Sequence, residues 1–107
     1  MNLPKVVTDL ISAQNSFDSV AYANCFSEKA VVFDEGKVFN GRAEIESWIA
    51  TANEKYKARM EPVSYEPNGT SGMLAAKISG TFKGSPAVLQ YHFEFIGGLI
   101  QSLKVTG

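Results

Sequence analysis

The chain has one cysteine, one histidine and one tryptophan among 107 residues, and almost no net charge. A lone thiol, Cys25, excludes an internal disulfide and a zinc site built on cysteines. With a single histidine, His92, and no clustered carboxylates, the usual ligand sets for a metal are missing as well. Ten basic residues against eleven acidic ones leave a formal charge of −1, so no field draws the chain toward nucleic acid or an anionic membrane. Residues 1–9 carry an acid and no long apolar run, so neither a signal peptide nor a membrane span is expected, and a soluble cytoplasmic protein fits. No repeat, linker or low-complexity tract interrupts the sequence. Small molecules or a second copy of the chain remain as partners.

What is present is enough for one core. At this length the sequence is expected to fold as a single domain, residues 1–107. A hydrophobic share of 45% and an aromatic share of 11% can fill a core and still line a cavity.

Val6, Val7, Leu10, Ile11 and, more weakly, Gln14 recur at helical spacing, with Pro4 suited to a first turn and Asn2 to a cap. After a break at Asn15-Ser16-Phe17-Asp18, Asp18 is placed to cap a second short helix. Its apolar side carries Ala21, Tyr22, Cys25 and Phe26, and Ser27-Glu28 ends it. From Lys29 the pattern becomes β: residues 30–33, a turn at Asp34-Glu35-Gly36, then residues 37–39. Asn40-Gly41 opens a third helix with an apolar stripe of Ile45, Trp48, Ile49 and Ala52, stopping near Tyr56; Lys55, Lys57 and Arg59 form its solvated, cationic end. The remainder reads as strands over 59–66, 72–82, 87–96 and 99–105, separated by Pro67-Asn68-Gly69, Gly84-Ser85-Pro86 and Gly97-Gly98. The class is therefore α+β, with N-terminal helices packed on a strongly curved, mainly antiparallel sheet.

Alternation assigns the faces of the strands. Leu89, Tyr91, Phe93 and Phe95 face the helices, and Gln90, His92 and Glu94 face away. Leu74, Ala76, Ile78, Gly80 and Phe82 continue the inner face, as do Leu99, Leu103 and Val105, although Gln101 intrudes. Such a cone, lined by aromatic and small residues and closed by Trp48, suits a small apolar ligand. Tyr22, Phe26, Trp48, Ile78, Leu89 and Phe93 are the expected pocket residues. The visible polar lining is one acid and one or two hydroxyls.

The segment Phe-Ser-Glu-Lys-Ala-Val-Val-Phe-Asp-Glu-Gly, followed by Phe-Asn-Gly-Arg-Ala-Glu-Ile-Glu-Ser-Trp, resembles the central part of the nuclear-transport-factor-2-like superfamily, in particular its ketosteroid-isomerase and SnoaL-type polyketide-cyclase branches. The resemblance runs through nearly the whole chain and implies the cone-shaped fold. It places Asp34 where ketosteroid isomerase keeps its general base, and Tyr91 where that enzyme keeps a protonated aspartic acid that donates to the developing oxyanion. Leu10 falls at the oxyanion tyrosine, so the chain departs from the enzyme at both donors.

Asp34 therefore has two readings: a desolvated carboxylate that moves a proton next to a carbonyl, or a turn residue bonding its own backbone. Tyr91 is either a donor to a ligand carbonyl or a core tyrosine. His92, on the outer face, suits a surface or subunit interface, and Cys25 a small buried apolar residue. The functional expectation is a cofactor-independent isomerase or lyase, cyclase-like, with Asp34 as base and Tyr91 assisting. The alternative is a non-catalytic, ligand-binding or interaction domain of the same fold. Under either, a homodimer through the outer face of the sheet is expected.

Overall fold

The computed structural model describes residues 1–107. Helix α1 covers Lys5–Asn15, α2 Ser19–Asn24 and α3 Gly41–Tyr56. The strands are β1 Phe26–Asp34, β2 Lys37–Asn40, β3 Arg59–Asn68, β4 Ser71–Ser79, β5 Ala87–Ile96 and β6 Leu99–Thr106. They form one six-stranded sheet in the order β2-β1-β6-β5-β4-β3. Every neighbouring pair is antiparallel except β1 with β6, which run parallel. The α+β class and the helix-first order stand as the sequence indicates.

The helices begin and end where local chemistry permits. Asp18 caps α2 by accepting a hydrogen bond from the Ala21 backbone N–H at 3.0 Å. Helix α1 starts behind Pro4 with no side-chain cap, so Asn2 has no part in it. Lys57 ends α3 in the left-handed region at φ 49°. Glu35 and Gly36, at φ 51° and 73°, form the two-residue loop joining β1 to β2, a geometry that matches the right-handed twist of the strands.

Several expectations are corrected. Phe26 opens β1 instead of closing the second helix, since α2 stops at Asn24; the Cys25 carbonyl accepts from the Ile100 N–H at 2.9 Å, drawing the chain into the sheet. Strand β4 ends at Ser79, so Gly80 and Phe82 leave the ladder. In β6, Glu94 pairs with Ser102 while Phe95 pairs with Ile100, which makes Gln101 the extra residue of a bulge. The bulge changes the parity of the strand, so fully buried Ile100, not Leu99, shares the core with Leu103.

The core lies between the inner face of the sheet and the helices. Phe26, Phe93, Leu10, Ile45, Leu74, Ile100 and Leu103 are fully buried there, each contributing about 1.5–3 kcal/mol by leaving water. Residues 80–86 fasten the end of α3: the Thr81 backbone N–H donates to the Tyr56 carbonyl at 2.7 Å, and the Thr81 hydroxyl donates to the Lys55 and Tyr56 carbonyls at 3.1 Å each.

Gly80 makes this close approach possible, because a Cβ there would lie 2.5 Å from the Tyr56 carbonyl oxygen. Backbone cannot retreat as a flexible side chain can. Gly80→Ala is expected to cost about 2 kcal/mol, seen as a thermal midpoint lower by roughly 10 °C; an unchanged midpoint would show that the end of α3 is not held at this contact.

Candidate active site

A cavity of about 1210 Å³ lies between α3 and the inner face of the sheet. Asp34 enters its wall because alternation along β1 turns Val32 into the core, Phe33 outward and Asp34 inward again. The carboxylate thus belongs to the last residue of the strand, and the turn proper is Glu35-Gly36. Lys37, its cross-strand partner, also lines the cavity, yet the one ion pair in the structure joins Lys5 to Asp9.

Without a cationic partner, Asp34 responds mainly to its surroundings. Burial raises its pKa from 3.8 to about 6, the neighbouring Glu35 charge adds to the rise, and the Glu35 backbone N–H opposes it. Tyr91 and Tyr22 line the same cavity. Burial pushes the Tyr91 phenol far up, and the Asp34 charge pushes it the same way. The Tyr22 phenol is raised first by burial and then by Tyr91, Cys25 and Asp34. Both phenols therefore stay protonated as hydrogen-bond donors beside a carboxyl group whose charge they feel.

An aromatic cluster fixes the roof. Trp48 stacks on Phe39 with ring centroids 5.4 Å apart and meets Tyr22 edge-on at 6.1 Å. At the far end of α3, Phe82 meets Tyr56 edge-on at 6.1 Å, and both line the cavity.

Of the residues singled out from the sequence, Asp34, Tyr91, Tyr22, Trp48, Ile78 and Leu89 line this cavity. Phe26 and Phe93 do not: exposed by 0% and 2%, they are packed wholly into the core beneath it. Leu10 is likewise core, with no exposure. Cys25 lies outside the cavity, and burial raises its thiol pKa to about 11, which leaves it unreactive. His92, on the outer face, bonds the Thr106 hydroxyl at 3.0 Å.

The polar lining is richer than one acid and one or two hydroxyls. Ser47, Thr51 and Thr81 reach the cavity, as do two amides, Gln14 and Asn53. Gln14 and Asn53 are exposed by only 7% and 9%. The Gln14 amide donates to the Asn53 side-chain carbonyl at 3.0 Å and to the Ala58 backbone carbonyl at 2.7 Å. A sequence signal for both exists in retrospect. Gln14 follows Val7 and Leu10 on the apolar stripe of α1, and Asn53 follows Ile45 and Ile49 on that of α3; a polar residue on such a stripe needs a buried partner or a ligand.

No family model matches the chain, and no curated protein does. Solved structures are similar to it. A candidate polyketide cyclase from Sinorhizobium meliloti is 33% identical, over 97% of this chain and 95% of its own, with a TM-score of 0.93. A hypothetical protein from Catenulispora acidiphila with a ketosteroid isomerase-like fold, solved in complex with trimethylamine, is 19% identical over 99% of this chain and 87% of its own, with a TM-score of 0.89. The epoxide hydrolase/cyclase-like enzyme SalBIII, associated with pyran ring formation in the polyether salinomycin, is 24% identical over 94% of this chain and 86% of its own, with a TM-score of 0.81. The last two likenesses establish the shared fold.

The raised Asp34 pKa makes a prediction with a definite sign. Between about pH 4 and pH 6 the folded protein holds a proton that the unfolded chain has released. The stability this contributes is full below the unfolded pKa and is lost as pH rises through about 6. Asp34→Asn, which never ionises, is expected to raise the urea midpoint above the parent's at about pH 7.5 and to show no such advantage at about pH 3.5. A difference that is the same at both pH values would mean that Asp34 is not desolvated.

Proposed function

Since the chain belongs to the SnoaL-like, nuclear-transport-factor-2-like superfamily, we propose that it is a cofactor-independent enzyme of the isomerase or cyclase kind, acting on a small apolar carbonyl compound held in the cavity. The observation that carries this reading is the desolvated Asp34 carboxyl group lining one cavity with the neutral phenols of Tyr91 and Tyr22, both of which its charge reaches.

The chemistry follows from those groups. With a pKa of about 6, Asp34 is largely ionised at neutral pH and still basic enough to take a proton from a carbon next to the ligand carbonyl. The carbon–hydrogen electron pair forms the C=C bond of an enolate and the carbonyl π pair moves to its oxygen, which accepts a hydrogen bond from the Tyr91 phenol, with Tyr22 as a second donor. Protonated Asp34 then returns the proton to another carbon; alternatively the enolate carbon closes a ring on a second carbonyl carbon of the same substrate, whose π pair moves to its oxygen and takes the proton from Asp34. General base catalysis supplies about 10²–10⁴ in rate, and each oxyanion donor about 10²–10³. Leu10 cannot donate, so the burden falls on the two phenols.

A second reading, a binder without turnover, draws on Leu10 as a plain core residue. Self-association is proposed under either, through the outer face of the sheet. Phe33 and Val38 are exposed cross-strand neighbours there, and Val88 is exposed further along the same face. The lone free thiol, Cys25, supports a reducing, cytoplasmic setting, and no helix is long and apolar enough to cross a membrane.

Proton abstraction can be followed without knowing the natural substrate. In deuterium oxide, the protein is expected to speed loss of the methyl proton signal of 2-acetylnaphthalene. Asp34→Asn should remove about a hundredfold or more of that acceleration, and Tyr91→Phe about tenfold or more. Unchanged exchange in Asp34→Asn, with the ketone still bound, would favour the binder. For the interface, sedimentation equilibrium should give twice the 11.6 kDa chain mass, falling to the single-chain value in Phe33→Glu; a monomeric parent would remove the interface.

A further inference from the structure

We propose that Gln14 and Asn53 form a second recognition point in this cavity, a donor–acceptor pair that takes a hydroxyl group of the ligand. The inference rests on the reading of the cavity as a ligand site and adds to it the class of ligand: a carbonyl compound bearing a hydroxyl group remote from the reacting carbon.

The orientation of both amides is fixed by a backbone group. The Ala58 carbonyl can only accept, so the group facing it at 2.7 Å must be the NH₂ of Gln14. The other Gln14 N–H goes to the Asn53 side-chain oxygen at 3.0 Å. This consumes both donors of Gln14 and turns the NH₂ of Asn53 away from it. Two groups are then left without a protein partner: the Gln14 side-chain oxygen and the Asn53 NH₂.

These groups are not sealed in. Both residues are more than nine-tenths buried, yet no buried side-chain nitrogen or oxygen in the protein lacks a partner. The unpartnered atoms must therefore keep access to open space, and the space both residues line is the cavity. An acceptor beside a donor is the complement of a hydroxyl, which donates to the one and accepts from the other. Without a ligand these two groups are open to water from the cavity, and a ligand hydroxyl that reproduces both hydrogen bonds can take its place.

The position of the pair in the fold sets the shape of the ligand. Asp34 ends β1, whereas Ala58, which pins the amides, leads into β3. Strands β6, β5 and β4 lie between them in the sheet. The carbonyl end and the hydroxyl end of the ligand are thus held at opposite sides of the cavity, and the apolar body crosses Leu89 and Ile78 in its wall.

Two fluorescent probes that differ by one hydroxyl group test this, 6-acetyl-2-naphthol and 2-acetylnaphthalene. The unmutated protein should bind the naphthol about tenfold tighter or more, because a site built to pair a hydroxyl discriminates strongly against its absence. Asn53→Leu should erase that preference by weakening the naphthol alone. In the unmutated protein, the Asn53 side-chain NH₂ resonances should shift with the naphthol and stay in place with 2-acetylnaphthalene, a readout that stands even where Asn53→Leu fails to fold. Equal affinity for both probes, a preference that survives Asn53→Leu, or resonances that do not move would overturn the pair while leaving the cavity reading intact. Binding of neither probe would overturn both.

Discussion

A helix held over a sheet without filling the space beneath it must be propped at more than one point, and the geometry of the site depends on how α3 meets that constraint. Trp48 is wedged between Phe39 of β2 and Tyr22 of α2, which holds one stretch of the helix through aromatic contact. The far end is held by polar contacts instead. Asn53 takes a hydrogen bond from Gln14 of α1, and Thr81 satisfies the last carbonyls of the helix. Protein interiors are otherwise close-packed, and an empty space of this size would be a heavy loss of contacts. Props of two chemical kinds keep the space open, and each brings functional groups into it.

Asp34 takes its properties from the same arrangement. It is an ordinary residue at the end of an ordinary hairpin, and its loop is explained by Glu35 and Gly36 at positive φ. What sets it apart is that the parity of β1 turns it into the cavity wall, where burial disfavours its charge and no ion pair compensates. Burial raises its pKa, and burial, with the Asp34 charge adding to it, raises that of the Tyr91 phenol, so base and donor are tuned by one main cause. The absence of a tyrosine at Leu10 is compatible with this, because Tyr22 brings a second phenol into the wall from a different helix.

Much of this was legible in the sequence. The stripe of Ile45, Trp48 and Ile49, the Asp18 cap and the glycine-bearing turns are local features, and local features mark the elements. The alternation of Leu89, Tyr91 and Phe93 likewise gave the inner face of β5. What was not legible depends on distant pairing. Nothing near Gln101 announces a bulge, because the bulge exists only relative to β5. Phe26 and Phe93 have the pattern of pocket residues, but whether an inward side chain reaches the cavity or the core beneath it is set by how α2 and α3 cover the sheet. Gln14 and Asn53 look like flaws in two apolar stripes, and their meaning emerges only when α1 and α3 bring them within 3.0 Å. The parallel pairing of β1 with β6 joins the middle of the chain to its last strand, and no local signal encodes it.

Burial in the cavity wall, and not the turn beside it, sets the chemistry of Asp34. The most direct measurement is a carbon-13 titration of the Asp34 side-chain carboxyl group in the folded protein. A midpoint near 6 is expected; a midpoint near 4, the value of a solvated aspartate, would mean that the cavity wall does not desolvate this group.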